Sequence, residues 1–173
     1  MPMKIIFRPS GMRVRRQSIK WIVLHHTAEM YDLPELDIDT YRYQFWGLFS
    51  GVGEKKQADI NYHYVIDKIK EDYIPIVCRP LTSLCDWSDI DDNINNRALH
   101  IAVLGSYDVK VPELRLMEVL AYRLLNPFLK IYALNPSRIV FHNEVSSNKE
   151  LTCPGDFMNK EKIITLTRRF VIK

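Results

Sequence analysis

The sequence predicts a single α/β domain: a central mixed β-sheet of about five strands flanked by α-helices. Three observations carry that reading. Short apolar segments of strand length recur near residues 20–26, 60–66, 72–77, 99–104 and 138–142. Between them lie stretches whose apolar residues repeat at three and four, the period of a helix face. No internal repeat, low-complexity tract or linker divides the chain, and 173 residues are enough for one well-buried core but not for two full-sized domains.

The elements follow in order. Residues 1–18 carry Lys4, Arg8, Arg13, Arg15 and Arg16 around Pro9-Ser10-Gly11 with no sustained period. They read as a basic arm or a short edge strand ahead of a domain spanning 19–173. Trp21-Ile22-Val23-Leu24 then runs into His25-His26-Thr27, a buried strand whose last residues emerge at the sheet's edge. Tyr41, Phe45, Leu48 and Phe49 predict a helix over about 38–49, ended by Gly51 and Gly53. Residues 60–67 (INYHYVID) alternate as a second strand, which puts Tyr62, Tyr64 and Ile66 on one face and His63 and Val65 on the other. Its hairpin partner is 72–77, reached through a charged turn over 68–71.

Residues 82–97 are rich in Asp and Asn and predict a long loop, a length that in compact domains commonly serves function. Leu99 to Leu104 is a strand buried on both faces and stopped by Gly105. Leu114, Met117, Ala121, Leu124 and Phe128 form the stripe of an amphipathic helix that Pro127 should kink or end near Leu125. A short strand over 136–141 delivers His142, and a final helix after Gly155 carries Phe157, Ile163, Ile164, Leu166 and Phe170.

Composition bounds the function. With 47% hydrophobic and 26% charged residues the chain is an ordinary globular protein, neither disordered nor collagen-like. A formal charge of +3 does not call for nucleic acid, but both termini are basic, Lys160, Lys162, Arg168, Arg169 and Lys173 crowding the second. These are either solvated faces or a means of attraction to an anionic polymer or membrane surface. Cys78, Cys85 and Cys153 make no disulfide framework in a protein of this size. The first sixteen residues hold no signal-peptide-like apolar run, and no stretch approaches eighteen uninterrupted apolar residues. The expectation is synthesis in the cytoplasm without a signal peptide, any target outside it being reached by another route.

The chemistry gathers near the C-terminus. His142 precedes Cys153 by eleven residues, and imidazole nitrogen and thiolate sulfur both suit zinc. If His25 sits beside His142 at neighbouring strand ends, Cys153 completes a three-ligand set with an open fourth position, the pattern of a catalytic rather than a structural zinc.

Four segments, WIVLHHTA at 21–28, NYHYVID at 61–67, RALHIAVLG at 97–105 after an Asn-rich loop, and FHNEV…CPGDF within 141–157, resemble in order the motifs of the zinc-dependent N-acetylmuramoyl-L-alanine amidases. That type 2 amidase family includes phage endolysins and the animal peptidoglycan recognition proteins. The resemblance spans about Lys20 to Phe157 and is most like the endolysins. It implies that 19–173 is an amidase catalytic domain with one zinc ion held by His25, His142 and Cys153. The activity it implies is hydrolysis of the amide between N-acetylmuramic acid and L-alanine in bacterial peptidoglycan.

By the same resemblance Tyr62 places a hydroxyl near the metal, with Tyr64 as fallback, while His26, one step from His25, is a packed or hydrogen-bonded residue. Family members often carry a lysine two residues before the third ligand. Here that position is Leu151, so either the loop bulges to bring Lys149 to the site as the second catalytic group, or Lys149 stays solvated. Thr152, Asn96 and Trp87 are the candidate substrate contacts, Trp87 stacking on sugar or else capping the core. His100, where the family strand commonly has a small residue, is either a core histidine or a partner of a ligand. The implied setting is a monomeric, bacteriolytic endolysin that reaches the wall from the host cytoplasm after holin-type permeabilisation. The alternative is a module that binds peptidoglycan without cleaving it.

Overall fold

A computed structural model of the chain describes residues 4–5, 13–28, 61–69 and 71–169. The predicted helix over 38–49 lies outside the described residues. Strands β1 (Lys4–Ile5), β2 (Trp21–His26), β3 (Tyr64–Ile69), β4 (Asp72–Val77), β5 (Ala98–Val103) and β6 (Ile139–Phe141) form one sheet in the order β1-β4-β3-β5-β2-β6. β3 and β4 are an antiparallel hairpin, and every other neighbouring pair is parallel. The expected mixed sheet with flanking helices is present, and the stretch read as a basic arm or a short edge strand supplies the two-residue edge strand β1. That stretch is also fastened further along, where Val14 bridges Ser83 and the Arg15 N–H donates to the Thr82 carbonyl at 2.6 Å.

The sheet has two buried faces, as mostly parallel sheets require. Ile22 and Leu24 of β2, Tyr64 and Ile66 of β3, and Leu99 and Ile101 of β5 pack against helices on one side. Those helices are α2 (Leu114–Val119), a π-helical run over Leu120–Leu125, α3 (Asn126–Ile131) and the C-terminal α5 (Lys160–Arg169). Leu120, Leu124 and Leu125 are fully buried there. Pro127 should kink or end this helix near Leu125; the helix does not end there, the π-helical run closing at Leu125 and the path continuing to Ile131. Proline lacks the N–H for the i−4 carbonyl and crowds it, and the wider π turn immediately before is a standard way to absorb such a mismatch.

Other boundaries differ for local reasons. β3 begins at Tyr64 because Asn61 and His63 lie in bends, so the expected strand is displaced toward its C-terminus. The loop over 82–97 contains a short helix, α1 (Asp92–Asn95), whose N-cap Asp91 accepts from the Asn93 N–H at 2.8 Å. Phe157, assigned to the last helix, precedes it and is 48% exposed. Among the described residues no helix is long and apolar enough to cross a membrane.

Candidate metal centre

The second face of the sheet carries the chemistry. In β2 side chains alternate, so Val23 and His25 face away from the helices that Ile22 and Leu24 meet. β6 pairs with β2 only as far as Phe141 opposite Leu24, and the next residue, His142, opens helix α4 (His142–Val145). Glu144 fixes that opening by accepting from the Phe141 N–H at 2.6 Å. The strand ends thus bring the His25 and His142 rings to a centroid separation of 4.5 Å.

Cys153 is delivered by a loop tied to both histidine segments. The Asn143 N–H donates to the Cys153 carbonyl at 2.9 Å, and the His26 N–H points at its Sγ at 3.4 Å. Farther along, Gly155 has φ of +106°, and a Cβ there would lie 2.4 Å from the Tyr107 carbonyl carbon. Glycine is required by both the conformation and the contact. The outcome is one ligand atom each from His25, His142 and Cys153, all buried and all within 4.8 Å of one another.

This donor set fits zinc. Tetrahedral zinc with Zn–N near 2.0–2.1 Å and Zn–S near 2.3 Å needs ligand atoms roughly 3.4–3.6 Å apart. His25 Nδ1 lies 3.9 Å from Cys153 Sγ, so small shifts suffice. Burial holds the His25 pKa well below its ordinary value, with neighbouring histidines adding to the effect. Burial lowers His142 as well, opposed by Asp89. Both rings are therefore neutral lone-pair donors near pH 7. Burial pushes the Cys153 thiol up to about 12, so without a cation the sulfur keeps its proton.

Each histidine is oriented from behind. His142 Nε2 lies 2.9 Å from Asp89 Oδ2, and the Ser146 hydroxyl donates to the same oxygen at 2.6 Å. His25 Nε2 lies 2.9 Å from His100 Nδ1. The His100 contact leaves Nδ1 of His25 for the centre, while the His142–Asp89 pair is close in distance without full hydrogen-bond geometry. Asp89 was missed in the sequence, where it looked like one of several solvated loop acids; nothing but its place in the fold separates it from Asp91 or Asp92. Asn143, which ties the ligand helix to the ligand loop, carried no signal either.

Aromatic side chains wall the site. The Trp87 ring stacks on His25 at 4.6 Å and 20° and meets His142 edge-on at 4.9 Å. Its Nε1 donates to the Asn61 carbonyl, and Asn61 exchanges two 2.6 Å hydrogen bonds with the Asp86 backbone, fixing the loop. Trp87 is half-buried and lies directly against His25. The Tyr62 ring approaches His25 at 5.2 Å and is buried beside Val65. Tyr64 does not share that face, because the bends at Asn61 and His63 break the alternation; it packs on Phe128 among the helices, which removes it as a substitute.

The remaining expected residues are spread out. Lys149 is exposed, and its Nζ donates to the Ser146 carbonyl of its own loop at 3.3 Å. Thr152 is exposed next to Cys153. Asn96 follows α1 ahead of β5, whereas His25 pairs with Ala102 near the end of that strand. Four residues of strand at about 3.3 Å each, roughly 13 Å, separate Ala98 from that level. Its carbonyl accepts from Arg15 at 2.9 Å, so Asn96 is part of the sheet's far end. His26 is hydrogen-bonded and packed, its Nδ1 accepting from the Tyr107 N–H at 3.2 Å. Cys78 and Cys85 are both buried thiols.

The chain is similar to known proteins in sequence profile and in fold. The sequence profile described as N-acetylmuramoyl-L-alanine amidase matches residues 15–156. No curated protein sequence matches the chain. Among solved structures, N-acetylmuramoyl-L-alanine amidase LysC from Clostridium intestinale is 20% identical with a TM-score of 0.63, all of both chains being covered. The Ph2119 endolysin from a Thermus scotoductus bacteriophage is 20% identical with a TM-score of 0.63, over 95% of this chain and 99% of that one. Bumblebee peptidoglycan recognition protein SA is 15% identical with a TM-score of 0.67, over 92% and 93%. At these identities the structures share the fold, and the family follows from the profile, which spans most of the chain and ends just past Cys153: the chain belongs to the N-acetylmuramoyl-L-alanine amidase family.

Proposed function

We propose that this chain is a zinc hydrolase that cleaves the amide between N-acetylmuramic acid and L-alanine in bacterial peptidoglycan. The observation that carries the reading is the buried His25, His142 and Cys153 set, its three ligand atoms within 4.8 Å. When bound, zinc supplies the Lewis acidity that makes water a competent nucleophile at neutral pH. The chain's part is to hold its two imidazoles neutral, to exclude solvent with Trp87, and to present the Tyr62 hydroxyl toward the oxyanion that develops at the scissile carbonyl. A donor of that kind is commonly worth a hundredfold or more in rate. We assign contact with the peptide stem to Thr152, which is exposed beside Cys153. We give Lys149 and Asn96 no role in the reaction, since one is exposed on its own loop and the other lies at the far end of β5.

A phage endolysin is the setting we favour, a monomer acting from the host cytoplasm once the membrane is permeabilised, with the basic C-terminal helix available to the anionic envelope. Peptidoglycan recognition without cleavage is the other reading that the family allows. The presence of all three ligands favours the enzyme, because a binding module has no use for an open metal position. Metal analysis with muropeptide release tests this. One zinc per chain, lost in Cys153→Ala together with activity, is expected; full activity in that variant would refute the assignment.

A further inference from the structure

We infer that His100 is a positioning residue that keeps Nδ1 of His25, the nitrogen turned to the ligand cluster, free of its proton. This rests on the reading of His25, His142 and Cys153 as a metal site. The contact between His25 Nε2 and His100 Nδ1, at 2.9 Å in the buried face of the sheet, holds a single proton. If the proton is on His25 Nε2, His25 Nδ1 is bare and aimed toward the Cys153 sulfur 3.9 Å away. If it is on His100 Nδ1, then neutral His25 carries its own proton on Nδ1, inside the ligand cluster, and binds no cation. The two arrangements differ only in the tautomers of the two rings.

The ligand set requires the first: with His25 Nδ1 turned to the Cys153 sulfur, only a proton on Nε2, donated to His100 Nδ1, leaves that lone pair for a cation. The His100 ring is fully buried at this contact. The backbone of His100 is held as firmly. Its N–H donates to His63 Nδ1 at 3.0 Å, and the His63 N–H donates to the His100 carbonyl at 2.9 Å. His63 Nε2 lies 3.0 Å from the Ser83 carbonyl and 3.0 Å from Arg15 Nη2. Arg15 closes this end, donating from Nε, Nη1 and Nη2 to the Leu81, Asn96 and Ala98 carbonyls. These contacts fix the strand segment that presents the His100 ring to His25.

The test uses the full chain without metal and with zinc. Two-bond 1H–15N correlation spectra of metal-free protein distinguish the neutral imidazole tautomers, and His25 is expected to carry its proton on Nε2. His100→Phe keeps an aromatic of similar volume but removes the acceptor, and should weaken zinc affinity by about 10- to 100-fold in chelator competition. His100→Asn, whose Oδ1 offers an acceptor at the corresponding position, should recover most of that loss. A wild-type chain that binds one zinc while His25 carries its proton on Nδ1 overturns the inference and leaves the metal site standing. So do equal zinc losses in both variants, since these would mark a packing effect, and so does an unchanged affinity in His100→Phe. If His100→Phe does not fold, the wild-type tautomer and His100→Asn decide the matter. A wild-type chain that takes up no zinc removes the metal site itself.

Discussion

His142 Nε2 sits 2.9 Å from Asp89 Oδ2, and this contact joins a ligand to a loop more than fifty residues away. Asp89 also holds Ser146 through its carboxylate and Ser147 through its carbonyl, which accepts from the Ser147 N–H at 2.7 Å. Outer partners of this kind typically hold one to two orders of magnitude of metal affinity. Asp89→Ala should therefore weaken zinc binding by about 10- to 100-fold, with Asp89→Asn between it and wild type. Chelator competition measures this, and an unchanged affinity in Asp89→Ala would leave the contact without function.

Gly155 tests the loop that delivers Cys153. In Gly155→Ala a methyl group would fall within 2.4–2.8 Å of three Tyr107 backbone atoms, at a φ of +106°. Strain and overpacking together should cost roughly 2–4 kcal/mol. Urea unfolding is expected to show that loss together with weaker zinc binding. Stability equal to wild type would contradict the packing described.

Acid should unfold the metal-free protein through its buried histidines. Burial depresses the pKa of His25 and His100 well below the ordinary value and that of His63 to about 3. Between those values and the unfolded one near 6.5 the unfolded chain binds more protons, so stability rises with pH. The contribution is whole above about pH 6.5 and is lost as pH falls toward the folded values, by up to about 1.4 kcal/mol per pH unit for each ring. Urea midpoints that stay level from pH 7 to pH 4.5 would count against three neutral rings.

Tyr62 and Lys149 are separable by mutation. Tyr62→Phe should lower kcat by about a hundredfold while zinc stays bound. Lys149→Ala, which removes an exposed amine bonded to its own loop, should change kcat by less than about threefold, the scale of a surface substitution. Steady-state rates on muropeptides measure both, and the reverse order would move the oxyanion contact to Lys149.

The residues most readable in the sequence were those fixed by strand ends. His25 closes an apolar run and His142 follows one, so parallel strands were enough to set them side by side, and Cys153 needed only a loop. The rest depended on where loops land. Asp89 and Asp91 look alike in a polar stretch, yet one reaches a ligand and the other caps a helix. Two bends moved Tyr64 off the face of Tyr62, since alternation holds only within regular strand. His100 stood open between core and partner until the register between β2 and β5 placed it beside His25. Pro127 marked the place where regular α-helix gives way, but did not end the helical path, because a π turn can pass a proline.

Analysis of the ends released from peptidoglycan tests the central claim most directly. Digestion by the zinc-loaded chain should produce new free L-alanine amino groups and no new reducing sugar ends, and neither should rise with Cys153→Ala. New reducing ends, or no amino groups released by a chain that holds its zinc, would contradict it.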